Sequence, residues 1–582
     1  MIKTLMRHMG RYKRESILSP LLTVGECVMD VLLPYVIARL IDLGISAGNM
    51  TEVWKYGGLM FLLAIVSLLF GTVSGRLSAT ASTGFAANLR AAMYRKIQTY
   101  SFSNLDRFGT ASLVTRMTTD VQNVQNAWHT MIRIATRTPV MLTMSVIMCV
   151  ITSPSLSLIF VVAIVVLGAA LAAGIALVTR IFNVAFRKYD DLNESVEENV
   201  TAARVVKAYV REDYEKEKFN RASSGLRRMF TRAEGILALN NPVMMLVVYG
   251  CIISLSWLGA KQVVAGDLTT GSLTSMFSYI MSILMSLMML SMVFVMLSMS
   301  MASARRISEV LNETPDIQNP AEPVCEVESG DIDFNHVTFY YHAGTGEAVL
   351  RDIDLHIRSG ETIGIIGGTG SGKSSLVNLL SRLYDVQEGS VCVGGKDVRE
   401  YDLTVLRDSV SVVLQKNVLF SGTVLENLRW GKEDATVEEC KAACALACAA
   451  EFIERMEQGY ESHVEQGGSN FSGGQKQRLC IARALLKHPK VLVLDDSTSA
   501  VDTATDARIR EAFRTRIPDT TKLIIAQRIA SVQDADRILV LENGQVCAFD
   551  THENLLRTNA IYQELYETQT KGGGDFDAPR AD

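Results

Sequence analysis

Six apolar stretches, each long enough to cross a bilayer, fill the first three hundred residues, at roughly 17–43, 54–80, 130–152, 155–180, 241–265 and 273–301. A hydrocarbon core of about 30 Å needs about 20 mainly apolar residues in a helix. This half of the chain is therefore restricted to a bundle of spanning helices. The links between them alternate in length. Short polar turns around Ser46-Ala47-Gly48-Asn49, at Thr152-Ser153-Pro154 and at Ala265-Gly266-Asp267 join the spans in pairs. The other two links run about 50 to 60 residues and are charged and helical in pattern. The spanning helices are thus predicted to continue well past the membrane.

Positive charge follows the same alternation. Lys3, Arg7, Arg11, Lys13 and Arg14 precede the first span, and Arg90, Arg95, Lys96, Arg107 and Arg116 lie in the first long link. Arg180, Arg187, Lys188, Arg204, Lys207 and Arg211 populate the second, while the short turns carry almost none. By the positive-inside rule both termini and both long links are cytoplasmic. No basic segment followed by a small-residue cleavage site is present, so no signal peptide is expected.

Acids inside a span are costly and face a cavity or a partner. Glu26 and Asp30 lie one helical turn apart in the first span, with Pro34, a candidate kink, one turn further. The pair either lines a pathway for a cationic substrate or sits at a helix interface. The sixth span carries Met276, Met281, Met285, Met288, Met289, Met292, Met296, Met299 and Met301. Flexible, polarizable methionine suits a surface for varied apolar ligands, and equally suits plain helix packing. Breaks at 101–109 and 209–215 interrupt the long links and read as surface tips or as short transverse helices. Ten cysteines show no framework spacing, and Cys440, Cys444 and Cys448 read as small-residue packing on a helix. The formal charge of −5 gives no argument for nucleic acid, and no such partner is expected.

From Gly330 the pattern changes to that of a soluble α/β domain. Residues 331–339 alternate as a strand. A buried strand at 361–366 leads into Gly367-Gly368-Thr369-Gly370-Ser371-Gly372-Lys373-Ser374-Ser375 and then an apolar helix. This is a phosphate-binding loop in its required strand–loop–helix setting. Its glycines let backbone N–H groups approach phosphates at a helix N-terminus. Lys373 would neutralise the β and γ phosphates, and Ser374 offers a hydroxyl to Mg²⁺. The apolar strand Val491-Leu492-Val493-Leu494 ends in Asp495, an acid suited to hold Mg²⁺ through water.

Phe471-Ser472-Gly473-Gly474-Gln475-Lys476-Gln477-Arg478 then resembles the signature sequence of ATP-binding cassette proteins, at about the family's distance before Asp495. The resemblance covers nearly the whole chain, to about residue 568, and is to half-size ABC exporters of multidrug type. It implies a six-span membrane α-helical exporter domain at 1–312, a linker at 313–329 and a nucleotide-binding domain at 330–568. The last is implied to be an α/β P-loop fold, a RecA-like core plus a helical subdomain, and 569–582 reads as a disordered tail. It also implies ATP and Mg²⁺ as cofactors and a multi-pass place in the cell membrane. Residue by residue, Tyr341 matches the aromatic that stacks on adenine, with Tyr340 leaving the register open. Gln415 matches the glutamine that reaches Mg²⁺ and faces the membrane domain. Ser499 to Asp502 match the loop that crosses between two cassettes, and the signature, Phe471 to Gln475, acts in trans on a partner's nucleotide. The breaks in the long links become transverse helices that dock on the nucleotide domain.

Two positions depart from the pattern. Asp496 stands where a hydrolytic cassette carries the glutamate that activates the attacking water, and Gln527 where it carries a histidine beside the γ-phosphate. A general base must reach its proton, and a misplacement near 1 Å costs roughly 100-fold. Glutamine donates a hydrogen bond but carries no titrating proton. With an intact signature, the chain resembles the degenerate-site subunit of heterodimeric bacterial multidrug exporters. The partners implied are a second half-transporter, the lipid bilayer and an amphiphilic small molecule. A homodimeric exporter with slow hydrolysis, or a nucleotide-gated regulator that does not pump, are the alternatives.

Overall fold

The computed structural model describes residues 1–341, 346–497 and 499–572. It divides into two compact units, 1–98 with 110–313, and 99–109 with 314–582. The predicted tail from 573 onward lies outside the described residues. Its first four positions do not: the last helix runs from Ala560 to Gly572, past the boundary expected at 568. Gln569 explains the extension, since both ends of its side chain hold backbone groups.

The first unit contains six helices long and apolar enough to cross a membrane. Met50–Ile97 and Pro154–Thr201 are single helices of 48 residues each. At 1.5 Å per residue each is about 72 Å long, more than twice a bilayer core. The first span stays helical through Pro20 and Pro34 and widens into a π-helical turn at Leu40–Ile45. Asp42 in that turn accepts from Gly271 N–H at 2.8 Å and from the Thr269 hydroxyl at 2.6 Å, tying the first span to the sixth. Toward the other end, Arg306 on the sixth helix forms a bidentate pair with buried Asp120 at 2.5 and 2.7 Å. The second break is a turn between Ala203–Ala208 and Glu212–Ala238, with Tyr209 and Val210 exposed.

The second unit is built on two principal sheets. A four-stranded antiparallel sheet has the order Leu350–Ile357, Ile332–Phe339, Glu388–Val393, Lys396–Asp397. A six-stranded sheet has the order Gln545–Asp550, Arg537–Glu542, Thr362–Gly367, Thr521–Ile525, Val491–Asp495, Val410–Val413. All neighbours in it are parallel except the first pair. A parallel sheet is covered on both faces, so its strands read as continuous apolar runs. Val491 and Val493 accordingly enter one core with Ile363, Ile365 and Leu523, while Leu492 and Leu494 enter the other with Ile524 and Leu479. Cys440 and Cys444 are buried in that second core, where burial pushes the Cys444 thiol up to about 12. Residues 314–329, read from sequence as a linker, cluster with this unit: Val327 is buried and Val324 pairs with Tyr401.

The short helix Phe102–Phe108, from the first break, also clusters with the second unit. Ser103 donates to Asp316 at 2.6 Å, Asp106 accepts from the Tyr384 hydroxyl at 2.8 Å, and the Phe102 ring lies 6.1 Å from that of Tyr384.

Candidate nucleotide site

Four neighbouring parallel strands deliver the site, because the carboxyl ends of such strands open on one edge of the sheet. Thr362–Gly367 leads into the phosphate loop, Val491–Asp495 ends in the acid pair, Thr521–Ile525 precedes Gln527, and Val410–Val413 precedes Gln415. The strand register sets Ile525 beside both Asp495 and Ile365, and Val413 beside Leu494.

The phosphate loop turns at Gly370 and Gly372, with φ of 81° and 96°. A Cβ on Gly372 would lie 2.8 Å from the Leu350 side chain, so glycine is required there by both conformation and space. The helix Lys373–Leu380 starts immediately after. Lys373 Nζ donates to the Gly367 and Gly368 carbonyls at 2.8 Å each, which keeps its charge inside the loop. The Tyr341 hydroxyl lies 2.9 Å from Ser375 Oγ, so this ring, 41% exposed, reaches the phosphate-loop helix. Tyr384 meets Tyr341 edge-on at 5.1 Å, linking it through Phe102 and Asp106 to the short docked helix.

The acids sit side by side in different surroundings. Asp495 is 5% exposed, at the end of its strand. Burial raises its carboxyl above the usual range, against the opposing pull of Ser374 and Lys373. Asp496 is raised as well, first by burial and then by the charge of Asp495. Its backbone is left-handed, with φ of 48°, a conformation that Asp tolerates better than most residues. Two of the predicted site residues meet it: Gln527 Nε2 donates to Asp496 Oδ2 at 3.1 Å, and the Ser499 hydroxyl donates to the Asp496 backbone carbonyl at 3.0 Å. Asp496, Gln527, Ser499 and Ser531 line a cavity of about 210 Å³. Asp495 and Ser374 offer a buried carboxylate and a hydroxyl, and Gln415 follows the neighbouring strand Val410–Val413; hard oxygen donors of these kinds fit Mg²⁺.

A pH dependence follows. A divalent ion needs the carboxylates ionised, and both carboxyls are raised, so protons compete at a higher pH than for an ordinary aspartate. The Mg²⁺-dependent gain in ATP affinity is expected to shrink on acidification before the range near 3.9 in which ordinary carboxylates titrate is reached. Titration of ATP binding with and without Mg²⁺ as pH is lowered checks this; Asp495→Asn should flatten the curve.

The signature opens the helix Gly473–Leu485 with a capping box. Ser472 Oγ accepts from Gln475 N–H at 3.3 Å, and Gln475 Oε1 accepts from Ser472 N–H at 2.9 Å. A Cβ on Gly474 would lie 2.7 Å from the Ala500 carbonyl, so the inter-cassette loop packs directly on the first turn. Phe471 is buried beneath it, 6.3 Å from the ring of Phe452. Asp502 caps the next helix by accepting from Thr505 N–H at 2.9 Å.

Gln477 was legible only as part of the signature stretch, and Gln569 and Arg137 carried no assignment. Buried Gln477, inside the signature helix, accepts from Ala500 N–H at 3.1 Å and donates to Ser499 Oγ at 3.3 Å. Gln569 holds the backbone around Gln527 from the last helix. Arg137 in the third span pairs with both Glu26 and Asp30, the latter at 2.7 Å, while Ser67 of the second span donates to Asp30 at 2.7 Å. Glu26 and Asp30 therefore join three spans. An arginine inside an apolar span, with two acids in another, was the signal available for Arg137.

Family models for the ABC transporter transmembrane region and for the ABC transporter cassette match residues 16–306 and 350–499. The chain is similar to the ABC transporter ATP-binding protein YfiB of Bacillus subtilis (strain 168), 34% identical over 549 residues, covering 94% of this chain and 95% of that one. It is 33% identical over 575 residues to the ABC transporter ATP-binding protein MT1311 of Mycobacterium tuberculosis (strain CDC 1551 / Oshkosh), covering 98% of each. Its fold resembles that of a bacterial Atm1-family ABC exporter solved with ATP bound, with a TM-score of 0.82, 23% identity, and coverage of 96% of this chain and 99% of that one.

Proposed function

The chain belongs to the ABC transporter family as a half-size exporter, an ATPase coupled to transport, and from that premise we propose that it is the ATP-holding half of a heterodimer. The observation that carries this reading is the bond between Gln527 and Asp496. The position expected to supply a base is a short carboxylate, held by an amide donor that carries no titrating proton. The signature, by contrast, has its capping box and its glycines.

In this reading ATP sits on the phosphate loop with Tyr341 against its base and Lys373 on its β and γ phosphates. Asp495, Ser374 and Gln415 would hold Mg²⁺, which neutralises phosphate charge when bound. Ser472 to Gln475 face the partner's nucleotide and complete the site that hydrolyses. Closure of the cassettes acts on the spans because the two conformations bind nucleotide differently; tight binding alone would shift nothing. The helix Phe102–Phe108 is the element that carries that closure toward the membrane.

Both termini face the cytoplasm, and the cargo is an amphiphile. Met281, Met285, Met288 and Met292 recur on one face of the sixth span and are exposed, a soft surface of the kind varied apolar ligands use. Glu26 and Asp30 support a cationic cargo less well, because Arg137 already compensates them.

Nucleotide trapping tests the assignment. The chain, paired with a half-transporter that carries Glu and His at the corresponding positions, is incubated with labelled ATP and Mg²⁺ and then washed. Label recovered on this chain's phosphate loop as ATP supports the proposal. Recovery as ADP at the rate of the partner site sinks it.

A further inference from the structure

The last helix, Ala560–Gly572, is anchored in the nucleotide unit by Tyr562, which is fully buried and bonded to His552 at 2.6 Å. From this anchor Gln569 reaches the loop after the strand Thr521–Ile525. Its Oε1 accepts from Ile529 N–H at 2.8 Å, and its Nε2 donates to the Gln527 carbonyl at 2.9 Å. The two ends of one amide thus fix the backbone on both sides of Arg528. Gln527 in turn donates to Asp496 Oδ2 at 3.1 Å. Glu564, Leu565, Thr568 and Gln569 of the same helix line a cavity of about 340 Å³ together with Gly367 to Ser371 of the phosphate loop. One helix therefore faces the phosphate loop and sets the loop that carries Gln527.

We propose that Gln569 is a positioning residue for ATP recognition: it fixes Gln527 where the γ-phosphate is sensed, so that the site distinguishes ATP from ADP. Gln569 acts on nucleotide only through Gln527. It makes two hydrogen bonds to backbone, so its loss frees the loop without removing any group that touches phosphate. The inference rests on Gln527 lying beside the γ-phosphate, and it holds whether the chain pairs with itself or with another half-transporter.

The test measures ATP and ADP affinity of the full-length chain by calorimetry with Mg²⁺ present. A typical hydrogen bond is worth about 1 kcal/mol, so Gln569→Ala should weaken ATP about fivefold. ADP affinity should stay unchanged, which a general loss of packing would not allow. Gln569→Glu keeps the side-chain volume and the acceptor for Ile529 but loses the donor to the Gln527 carbonyl, and should shift the ATP-to-ADP ratio in the same direction. In a Gln527→Ala background Gln569→Ala should change that ratio by less than about twofold, because residues acting in series are not additive. Equal weakening of ATP and ADP, or full additivity in that background, overturns the proposal. If Gln527→Ala alone leaves the ratio unchanged, Gln527 does not sense the γ-phosphate, and both statements fall.

Discussion

Paired with a half-transporter whose own base glutamate has been removed, this chain with Asp496 changed to glutamate and Gln527 to histidine is expected to turn over ATP about 100-fold faster than the unchanged chain. The added methylene moves the carboxylate forward by about one bond length, the amount by which aspartate is shorter than the glutamate a hydrolytic cassette carries. Histidine would replace a donor that now holds Asp496 Oδ2 at 3.1 Å with a group able to carry charge beside the phosphate. The single changes should give less than the pair, because Gln527 donates to the carboxylate of residue 496 and, left in place, restrains a longer side chain there. Residue 496 has a left-handed backbone that glutamate adopts less readily than aspartate, so part of the gain is offset by local strain. Steady-state phosphate release from each variant measures the effect. A double variant no faster than the parent would show that the two substitutions are not what limits hydrolysis.

Gly473→Asp should do the reverse at the other site. Gly473 is the first residue of the signature helix, and a Cβ there would lie 3.3 Å from the Ala500 side chain, a tight contact that small movements relieve. Locally a carboxylate at a helix N-terminus is favourable, so the fold should hold. Across a dimer the same carboxylate would face a γ-phosphate that the helix end is built to attract. Loss of one preorganised donor costs about 100- to 1000-fold, and turnover of the paired complex should fall by at least about 100-fold. ATP binding by the lone chain should not change, since its own phosphate loop is untouched. Preserved turnover in the complex would mean that this signature serves no hydrolytic site.

Much of this was legible in the residues. The six spans, their long helical extensions and the phosphate loop each have a local signal, either an apolar run of bilayer length or glycines at fixed spacing before a helix. Asp496, Gln527 and Gln415 were named one by one through the resemblance to the family's motifs. The bond from Gln527 to Asp496 comes from the order of parallel strands, which no local pattern encodes. Gln569 lies more than forty positions from the loop it holds and has the look of a polar residue near a chain end. Arg137 is an arginine at one end of an apolar run until Glu26 and Asp30 are brought beside it from more than one hundred positions away. The membership of residues 99–109 in the second unit was likewise set by Tyr384 and Asp316, far along the chain. What the sequence hid is contact at long range, and at a nucleotide site such contacts decide whether a group acts or is restrained.

The most direct measurement compares ATP turnover of the purified chain alone with its turnover alongside a half-transporter bearing Glu and His at the positions of Asp496 and Gln527. The account predicts little turnover for the chain alone, at least about 100-fold higher turnover for the pair, and abolition of the pair's activity by Gly473→Asp in this chain. Turnover of the lone chain at the rate of the pair would contradict it.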